Sequence, residues 1–268
     1  MSNTLEMTPF SDLMAAMRQS STDHSIVLPD DWLQGRTAYG GLSAALCLEA
    51  TKRSHEDLPP LRSAHFCFIG PATGALNMSS DVLRKGKSTT IIGSDLTGES
   101  GLAVRSTFCF GAARTSTHEY QSIPMPNVPK PDECTDYYVW PDRPNFMHHF
   151  EGRLASGALP RTTGVKPEMA VWLRHRDSGD ESNLTRLLAL ADALPPPALV
   201  LSKSFIQIST MTSAIEFLDD HPFTSTGWWL VQAIADTSRE GYSSQSIVIW
   251  NSDGKPVLTS RQNVAIFG

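Results

Sequence analysis

The chain has 268 residues, 40% of them hydrophobic, which is enough for a substantial core in one large domain or two modest ones. Its formal net charge is -6, and its 22 Lys and Arg form no run longer than Arg84–Lys87, which argues against a nucleic-acid-binding protein. No apolar stretch reaches the roughly 20 residues of a membrane span, and residues 1–10 lack a signal-peptide pattern, so we expect a cytoplasmic protein.

The first half of the chain reads as two helices followed by a series of strands. Thr8 is predicted to cap a short helix in which Pro9 is the first helical residue. A second helix is predicted over Leu42–Arg53, directly after two glycines. Turns rich in glycine then separate four strand-like segments. These segments are Ala64–Ile69, Leu76–Leu83, Thr89–Leu96 and Ala103–Phe110.

A proline-rich segment divides the chain almost evenly. Residues 122–132 carry four prolines, a density that excludes both a helix and a regular sheet ladder. This composition predicts three parts: an N-terminal unit over residues 1–115, a linker over 116–142 and a C-terminal unit over 143–268.

The second half repeats the order of the first. A helix is predicted over Asn183–Leu194, and the turn Gly241–Ser243 matches the turn Gly86–Ser88. Chance likeness between two mixed helix-and-strand halves remains the alternative to duplication. The predicted strands of this half are Met169–His175, Ser204–Leu218, Trp228–Asp236, Ser246–Trp250 and Val257–Phe267.

The two central helices are apolar on nearly every side, so each must be enclosed by protein. A helix followed by four strands encloses itself when the antiparallel strands curl around it. The predicted fold class is therefore α+β, a double hotdog with two tandem helix-wrapped antiparallel sheets. Because open sheets leave edge strands that need cover, we also expect a homodimer or a larger homo-oligomer.

The cysteines and histidines give no sign of a metal site or a bound cofactor. None of Cys47, Cys67, Cys109 and Cys134 has the spacing of a metal motif, and buried free thiols are the favoured interpretation. His148 and His149 have no partner at ligand spacing. We therefore predict no metal and no cofactor.

Asp192 is the most informative polar residue. It sits in an apolar helix, on the face of Leu184 and Leu188, near the C-terminal end where the helix dipole disfavours a carboxylate. A carboxylate placed against both burial and the dipole is a candidate catalytic group. The alternative is an exposed aspartate at a frayed helix end before three prolines.

Two polar residues on predicted strands are weaker candidates. Alternation places Thr210 on one face with Ile206, Ile208 and Thr212, although threonine is also a common strand residue. Gln262 shares a face with apolar residues of the last strand, where a buried amide needs partners. Either residue could be a satisfied structural group instead.

Tyr39, Gly40 and Gly41 precede the first enclosed helix. Glycines allow close approach of a ligand to the backbone, and a helix N-terminus offers unpaired N–H groups. Such groups can polarise a carbonyl, so these three residues are predicted to bind substrate, with the N–H of Gly41 as the oxyanion donor. A plain loop-to-helix turn is the alternative.

These residues together resemble the acyl-CoA thioesterase II family of double-hotdog thioesterases, over about Phe10 to Phe267. The likeness includes the aromatic-Gly-Gly before the helix, the segment Ser63–Pro71, Leu190–Asp192 and Ser260–Gln262. The resemblance implies that an Asp, a Thr and a Gln of the second half hold and activate the attacking water, and the matching residues are Asp192, Thr210 and Gln262. One departure is Thr212-Ser213-Ala214, where many members have Asp-His-Ser.

The expected function is hydrolysis of acyl-CoA to a free acid and CoA by a carboxylate-activated water, without metal or covalent intermediate. Arg36, Lys85 and Lys87 are candidate contacts for the CoA phosphates. A non-catalytic acyl-CoA-binding or scaffold protein is one alternative. A hotdog hydratase or dehydratase is the other, although it would need an Asp–His pair beside a central helix.

Overall fold

A computed structural model describes residues 7–20, 23–179, 183–204 and 206–267. Residues 1–6 and residue 205, within the predicted strand Ser204–Leu218, lie outside the described residues. The described helices are α1 (Phe10–Ala15), α2 (Gly40–Ser54) and α3 (Leu184–Ala191). None of the described helices is both long and apolar enough to cross a membrane.

The first half contributes eight strands to the described structure. They are β1 (Arg18–Ser20), β2 (Asp23–Val27), β3 (Leu33–Gln34), β4 (Thr37–Ala38), β5 (Leu61–Phe68), β6 (Ala75–Lys85), β7 (Thr89–Gly98) and β8 (Gly101–Gly111). The rest of the chain adds β9 (Thr135–Asp136), β10 (Phe150–Gly157), β11 (Glu168–His175), β12 (Gln207–Phe217), β13 (Trp229–Arg239), β14 (Tyr242–Asn251) and β15 (Pro256–Phe267).

Thirteen of these strands form one sheet in which every described neighbour is antiparallel. The strand order of the first half is β2-β6-β7-β8-β5, and that of the second is β12-β15-β14-β13-β11. The two orders are the same when read outward from the junction, where β5 pairs with β12. The predicted double hotdog is confirmed.

The central helices lie in the core, as their apolar composition requires. Leu42, Leu46 and Leu48 of α2 and Leu188 and Leu190 of α3 are almost fully buried. Both predicted helices exist, but α3 ends at Ala191, so Asp192 is its C-cap residue and does not lie inside the helix. The three prolines after Leu194 cannot extend the helix.

The short helix α1 begins one residue later than predicted. Pro9 is its N-cap, and no side chain caps its first turn. The N–H of Thr8 instead donates to the Asp31 carboxylate at 2.5 Å. The expectation that Thr8 caps the helix is therefore wrong, because Thr8 is used in a tertiary contact.

The linker is more than an extended connector, because it packs on the outer face of the second-half sheet. Ile123, Met125 and Val128 contact a cluster centred on the buried Trp172 and Trp250. The indole N–H of Trp172 donates to the Pro129 carbonyl at 2.9 Å, and that of Trp250 donates to the Ile123 carbonyl at 3.1 Å. Because prolines keep this segment out of a regular sheet ladder, its backbone carbonyls are available to accept hydrogen bonds from side chains.

The cysteine expectation is only partly correct. All four cysteines are free thiols, but only Cys47 is buried. Cys67 is exposed because it alternates along β5 with Phe66 and Phe68, which point into the core side of the sheet. Cys109 and Cys134 are half-buried.

Candidate active site

The carboxylate of Asp192 lies at one end of the central helix pair, where the C-terminus of α3 packs against the N-terminus of α2. The side-chain amide Nε2 of Gln262 donates to Asp192 Oδ1 at 2.7 Å, and the backbone N–H of Gly41 also donates to this carboxylate. The C-terminal end of α3 therefore faces the N-terminal end of α2, whose partial positive charge offsets the unfavourable dipole of α3. Two elements far apart in sequence hold one acid.

Burial changes the acidity of this group. Protein surrounds the carboxylate, while the residue as a whole is only half-buried. Burial raises the pKa of Asp192 to about 6, and the hydrogen bonds from Gln262 and Gly41 oppose this rise. Asp192 is therefore mostly ionised at neutral pH but basic enough to accept a proton.

The two glycines at the start of α2 permit this close contact. A Cβ atom on Gly41 would lie 2.5 Å from the Ala189 carbonyl oxygen and 3.0 Å from Asp192 Cβ. A Cβ atom on Gly40 would lie 2.6 Å from Asp192 Oδ2. Any side chain at either position would push the helices apart, so glycine is required here by space.

Tyr39, the N-cap residue of α2, joins the two central helices. Its ring is fully buried and stacks on Phe146 with a centroid distance of 4.1 Å. Its hydroxyl donates to the Ala189 carbonyl at 3.2 Å, and the side chain does not line the neighbouring cavity. Tyr39 therefore fixes the geometry of Gly40, Gly41 and Asp192, and a direct contact with substrate stays a prediction.

A cavity of about 590 Å³ lies next to the start of α2, and neither Asp192 nor Gln262 is among the residues that line it. Gly40 and Thr210 both lie in its wall, together with Phe68, whose ring contacts Gly40. Much of the remaining wall is apolar and includes Val104, Trp140, Met147, Leu199, Ile206 and Ile208. A space of this size and character accommodates an apolar chain with a polar group at one end.

Thr210 lies in this wall but makes no hydrogen bond to Asp192 or Gln262 within the described residues. The strand β12 has a bulge between Thr210 and Thr212, where Met211 is the extra residue. The expectation that Thr212 shares a face with Thr210 is therefore wrong. Thr212 is exposed, while Ser213 points inward and is only 5% exposed.

The inward face next to Thr210 carries a polar row across three strands. Ser213 pairs with Gln262, and Gln262 pairs with Gln245 on the other side. Gln245 was not among the predicted site residues, although its Nε2 donates to Gln262 Oε1 at 2.7 Å. The signal was an alternation of Ser243, Gln245, Ile247 and Ile249, but the predicted strand began only at Ser246.

Three arginines line the cavity, Arg36, Arg143 and Arg161, and Arg143 donates to the backbone carbonyls of residues 138 and 140. Arg36 is exposed and forms no ion pair within the described residues, while Arg161 lies 3.6 Å from Asp142 across a loose ion pair. Arg161 has a φ of 69°, in the left-handed region that favours glycine. Lys85 and Lys87 lie at the β6–β7 turn and do not line this cavity.

The sequence matches two family models in tandem. Residues 28–111 match the acyl-CoA thioesterase N-terminal domain, and residues 124–266 match the acyl-CoA thioesterase C-terminal domain. No curated protein matches the chain.

Solved structures of the same size superpose along nearly the whole chain. A conserved protein of unknown function with a hot dog fold from Alicyclobacillus acidocaldarius has a TM-score of 0.85 and 24% identity, covering 98% of this chain and 99% of that chain. An acyl-CoA thioesterase II from Mycobacterium marinum has a TM-score of 0.75 and 16% identity, covering 95% and 97%. A tesB protein from Mycobacterium avium subspecies paratuberculosis has a TM-score of 0.78 and 16% identity, covering 96% and 99%. These likenesses establish the fold.

Proposed function

Because this chain belongs to the acyl-CoA thioesterase family, we propose that it hydrolyses acyl-CoA to a free acid and CoA with a water activated by Asp192. The observation that supports this reaction most is the carboxylate held by Gln262 and Gly41 beside an apolar cavity. A carboxylate whose pKa is raised to about 6 by burial is suited to act as a general base near neutral pH.

In this proposal Asp192 acts first as a base and then as an acid. Asp192 takes a proton from water while the water oxygen attacks the thioester carbon. The C–S bond then breaks, and the CoA sulfur leaves with the proton that Asp192 returns. The hydroxyl of Thr210, in the cavity wall, orients the water or the thioester. No covalent intermediate is required.

The oxyanion donor needs a revised assignment. The N–H of Gly41 already donates to Asp192, so it orients the base. The N–H groups of the first turn of a helix have no intrahelical partner, and Gly40 lies in the cavity wall one residue earlier. We therefore assign the N–H of Gly40 as the donor to the thioester oxygen, with the dipole of α2 adding to its effect.

The substrate class is supported by the rest of the cavity. The apolar wall around Phe68 and Trp140 suits an acyl chain, and the arginines of the wall suit the phosphates of CoA. Arg36 keeps its predicted role, Arg161 joins it, and Lys85 and Lys87 are replaced. The association of chains into a homodimer or larger homo-oligomer stays a prediction.

The alternatives explain less of this arrangement. A hydratase would use a histidine next to a carboxylate, and no histidine among the described residues lines the cavity. A scaffold protein would not need a buried ionised carboxylate with two donors, which costs stability. The departure at Thr212-Ser213-Ala214 follows the bulge, and its Ser213 pairs with Gln262, so a small polar side chain stands beside the Asp192–Gln262 contact.

The test is turnover on a panel of acyl-CoA substrates of increasing chain length. The proposal predicts release of CoA thiol with formation of the free acid in equal amounts. Binding of acyl-CoA without thiol release would support the scaffold alternative. Reversible addition of water to an unsaturated acyl chain, with the thioester intact, would support the hydratase alternative.

A further inference from the structure

The Asp192 carboxylate is the end of a chain of two buried amides. Gln245 Nε2 donates to Gln262 Oε1 at 2.7 Å, and Gln262 Nε2 donates to Asp192 Oδ1 at 2.7 Å. Gln245 is 2% exposed and Gln262 is 7% exposed, so neither amide exchanges freely with water. We propose that Gln245 is a positioning residue, which holds the amide of Gln262 in the one orientation that donates to the catalytic base. The role of Asp192 as the catalytic base rests on the proposed function, whereas the hold of Gln245 on Gln262 does not.

The direction of the chain follows from chemistry. An ionised carboxylate can only accept hydrogen bonds, so Gln262 must present its NH₂ group to Asp192. Its carbonyl oxygen then faces Gln245, which must donate in turn. This order leaves Gln245 Oε1 buried and without a hydrogen-bond partner within the described residues. A buried acceptor without a partner costs stability. The cost is explained if the NH₂ groups of Gln245 and Gln262 must both point along the chain that ends at the carboxylate.

The corresponding row of the first half argues against a purely structural need for these amides. There Phe108 of β8 pairs with Ile92 of β7, at the positions of Gln262 and Gln245. Both apolar residues are fully buried. The fold therefore accepts an apolar pair at this place in the sheet, so the polar pair of the second half has another role.

Among the residues that the structure describes, no ionised group holds the carboxylate. The titratable groups that face Asp192 are Tyr39, at the start of α2, and Tyr138, whose hydroxyl donates to the adjacent Ala193 carbonyl at 3.1 Å. Burial raises the pKa of both phenols well above 10, so both are neutral. Of the groups described at the carboxylate, only the Gln262 amide and the Gly41 N–H donate to it.

The test measures the titration of Asp192 by carboxyl ¹³C NMR, which does not require turnover. Gln245→Met keeps the length of the side chain and removes the donor. Because hydrogen bonds to the charged form favour it, this variant should raise the Asp192 midpoint by about 0.5–1 pH unit and lower kcat at pH 6. Ser243→Ala is the matched control, since Ser243 is equally buried on β14 and its hydroxyl bonds to no described residue. It should leave the midpoint unchanged.

A second measurement needs no variant and covers the case in which Gln245→Met fails to fold. In the wild-type protein the side-chain NH₂ signals of both Gln245 and Gln262 should titrate with the midpoint of Asp192. The NH₂ group of Gln232, on β13, should not respond. A Gln245 signal that stays constant through the Asp192 titration would overturn the inference, as would an unchanged midpoint in folded Gln245→Met. If Gln245→Met shifts the Asp192 midpoint but the wild-type protein releases no thiol from acyl-CoA, the positioning role stands and the proposed function is wrong.

Discussion

The two halves share a fold but differ in one buried row of side chains. In the second half three paired strands carry a polar row, formed by Ser213, Gln262 and Gln245. In the first half the same positions carry an apolar row, formed by Ala64, Phe108 and Ile92. All six are buried, so the difference is one of chemistry and not of exposure. The two halves therefore have the same fold, but only the second half has a buried polar row next to Asp192.

The ends of the helix pair differ in the same way. At one end Asp192 meets the N-terminus of α2 beside the cavity. At the other end Glu49 of α2 accepts from the Thr185 hydroxyl of α3 at 3.2 Å and from Arg53 Nε at 2.8 Å. Arg53 also donates to the Met14 carbonyl at 2.8 Å, so α1 covers this end. The Glu49 end is a closed structural contact, whereas the Asp192 end lies next to the cavity, with Gly40 between the carboxylate and the cavity.

The largest expected effect compares the two acids directly. Asp192→Asn keeps the shape of the side chain and removes the base, so kcat for thiol release should fall by roughly 10²–10⁴. Glu49→Gln can still accept from Thr185 and should leave kcat almost unchanged. Steady-state kinetics on both variants, with unfolding curves as a check on folding, make the comparison. A large loss of turnover in Glu49→Gln, with normal turnover in Asp192→Asn, would show that the site had been assigned to the wrong end of the helix pair.

A smaller effect is expected on stability from the apolar row. Phe108→Gln would bury an amide without a planned partner and remove aromatic packing, so the free energy of unfolding should fall by about 3–5 kcal/mol. Phe108→Leu is the control and should cost clearly less. Denaturant unfolding measures both. If the folded Phe108→Gln protein also loses most of its turnover, the first-half row takes part in the site and the comparison fails.

The smallest effect concerns the linker that covers the second half. Trp172→Phe removes the hydrogen bond to the Pro129 carbonyl and keeps most of the buried ring, so it should cost about 1 kcal/mol of unfolding free energy. Turnover should not change, because Trp172 lies on the outer face of the sheet. Unfolding curves and thiol release on one preparation test both statements. A loss of turnover without a loss of stability would contradict this separation of linker and site.

The sequence was sufficient for the fold because hydrophobic periodicity and turn residues carry that information. The two apolar helices and the matched turns predicted the double hotdog, and Asp192 stood out because burial and the dipole both oppose it. The bulge at Met211 could not be predicted, since it depends on pairing with β15. Gln245 was missed because its strand extends further than its apolar residues. Contacts between distant strands decide such details.

The central claim is that ionised Asp192 of the second half activates the attacking water. Burial raises the pKa of this group to about 6, and only the ionised form is a base, so activity should be lost as pH falls through that value. The direct test is the profile of kcat/KM from about pH 4.5 to about pH 8 for the wild type and for Asp192→Asn. The account predicts a single acid limb with a midpoint near 6 in the wild type and its absence from the residual activity of the variant. A flat wild-type profile, or an acid limb that persists in Asp192→Asn, would contradict it.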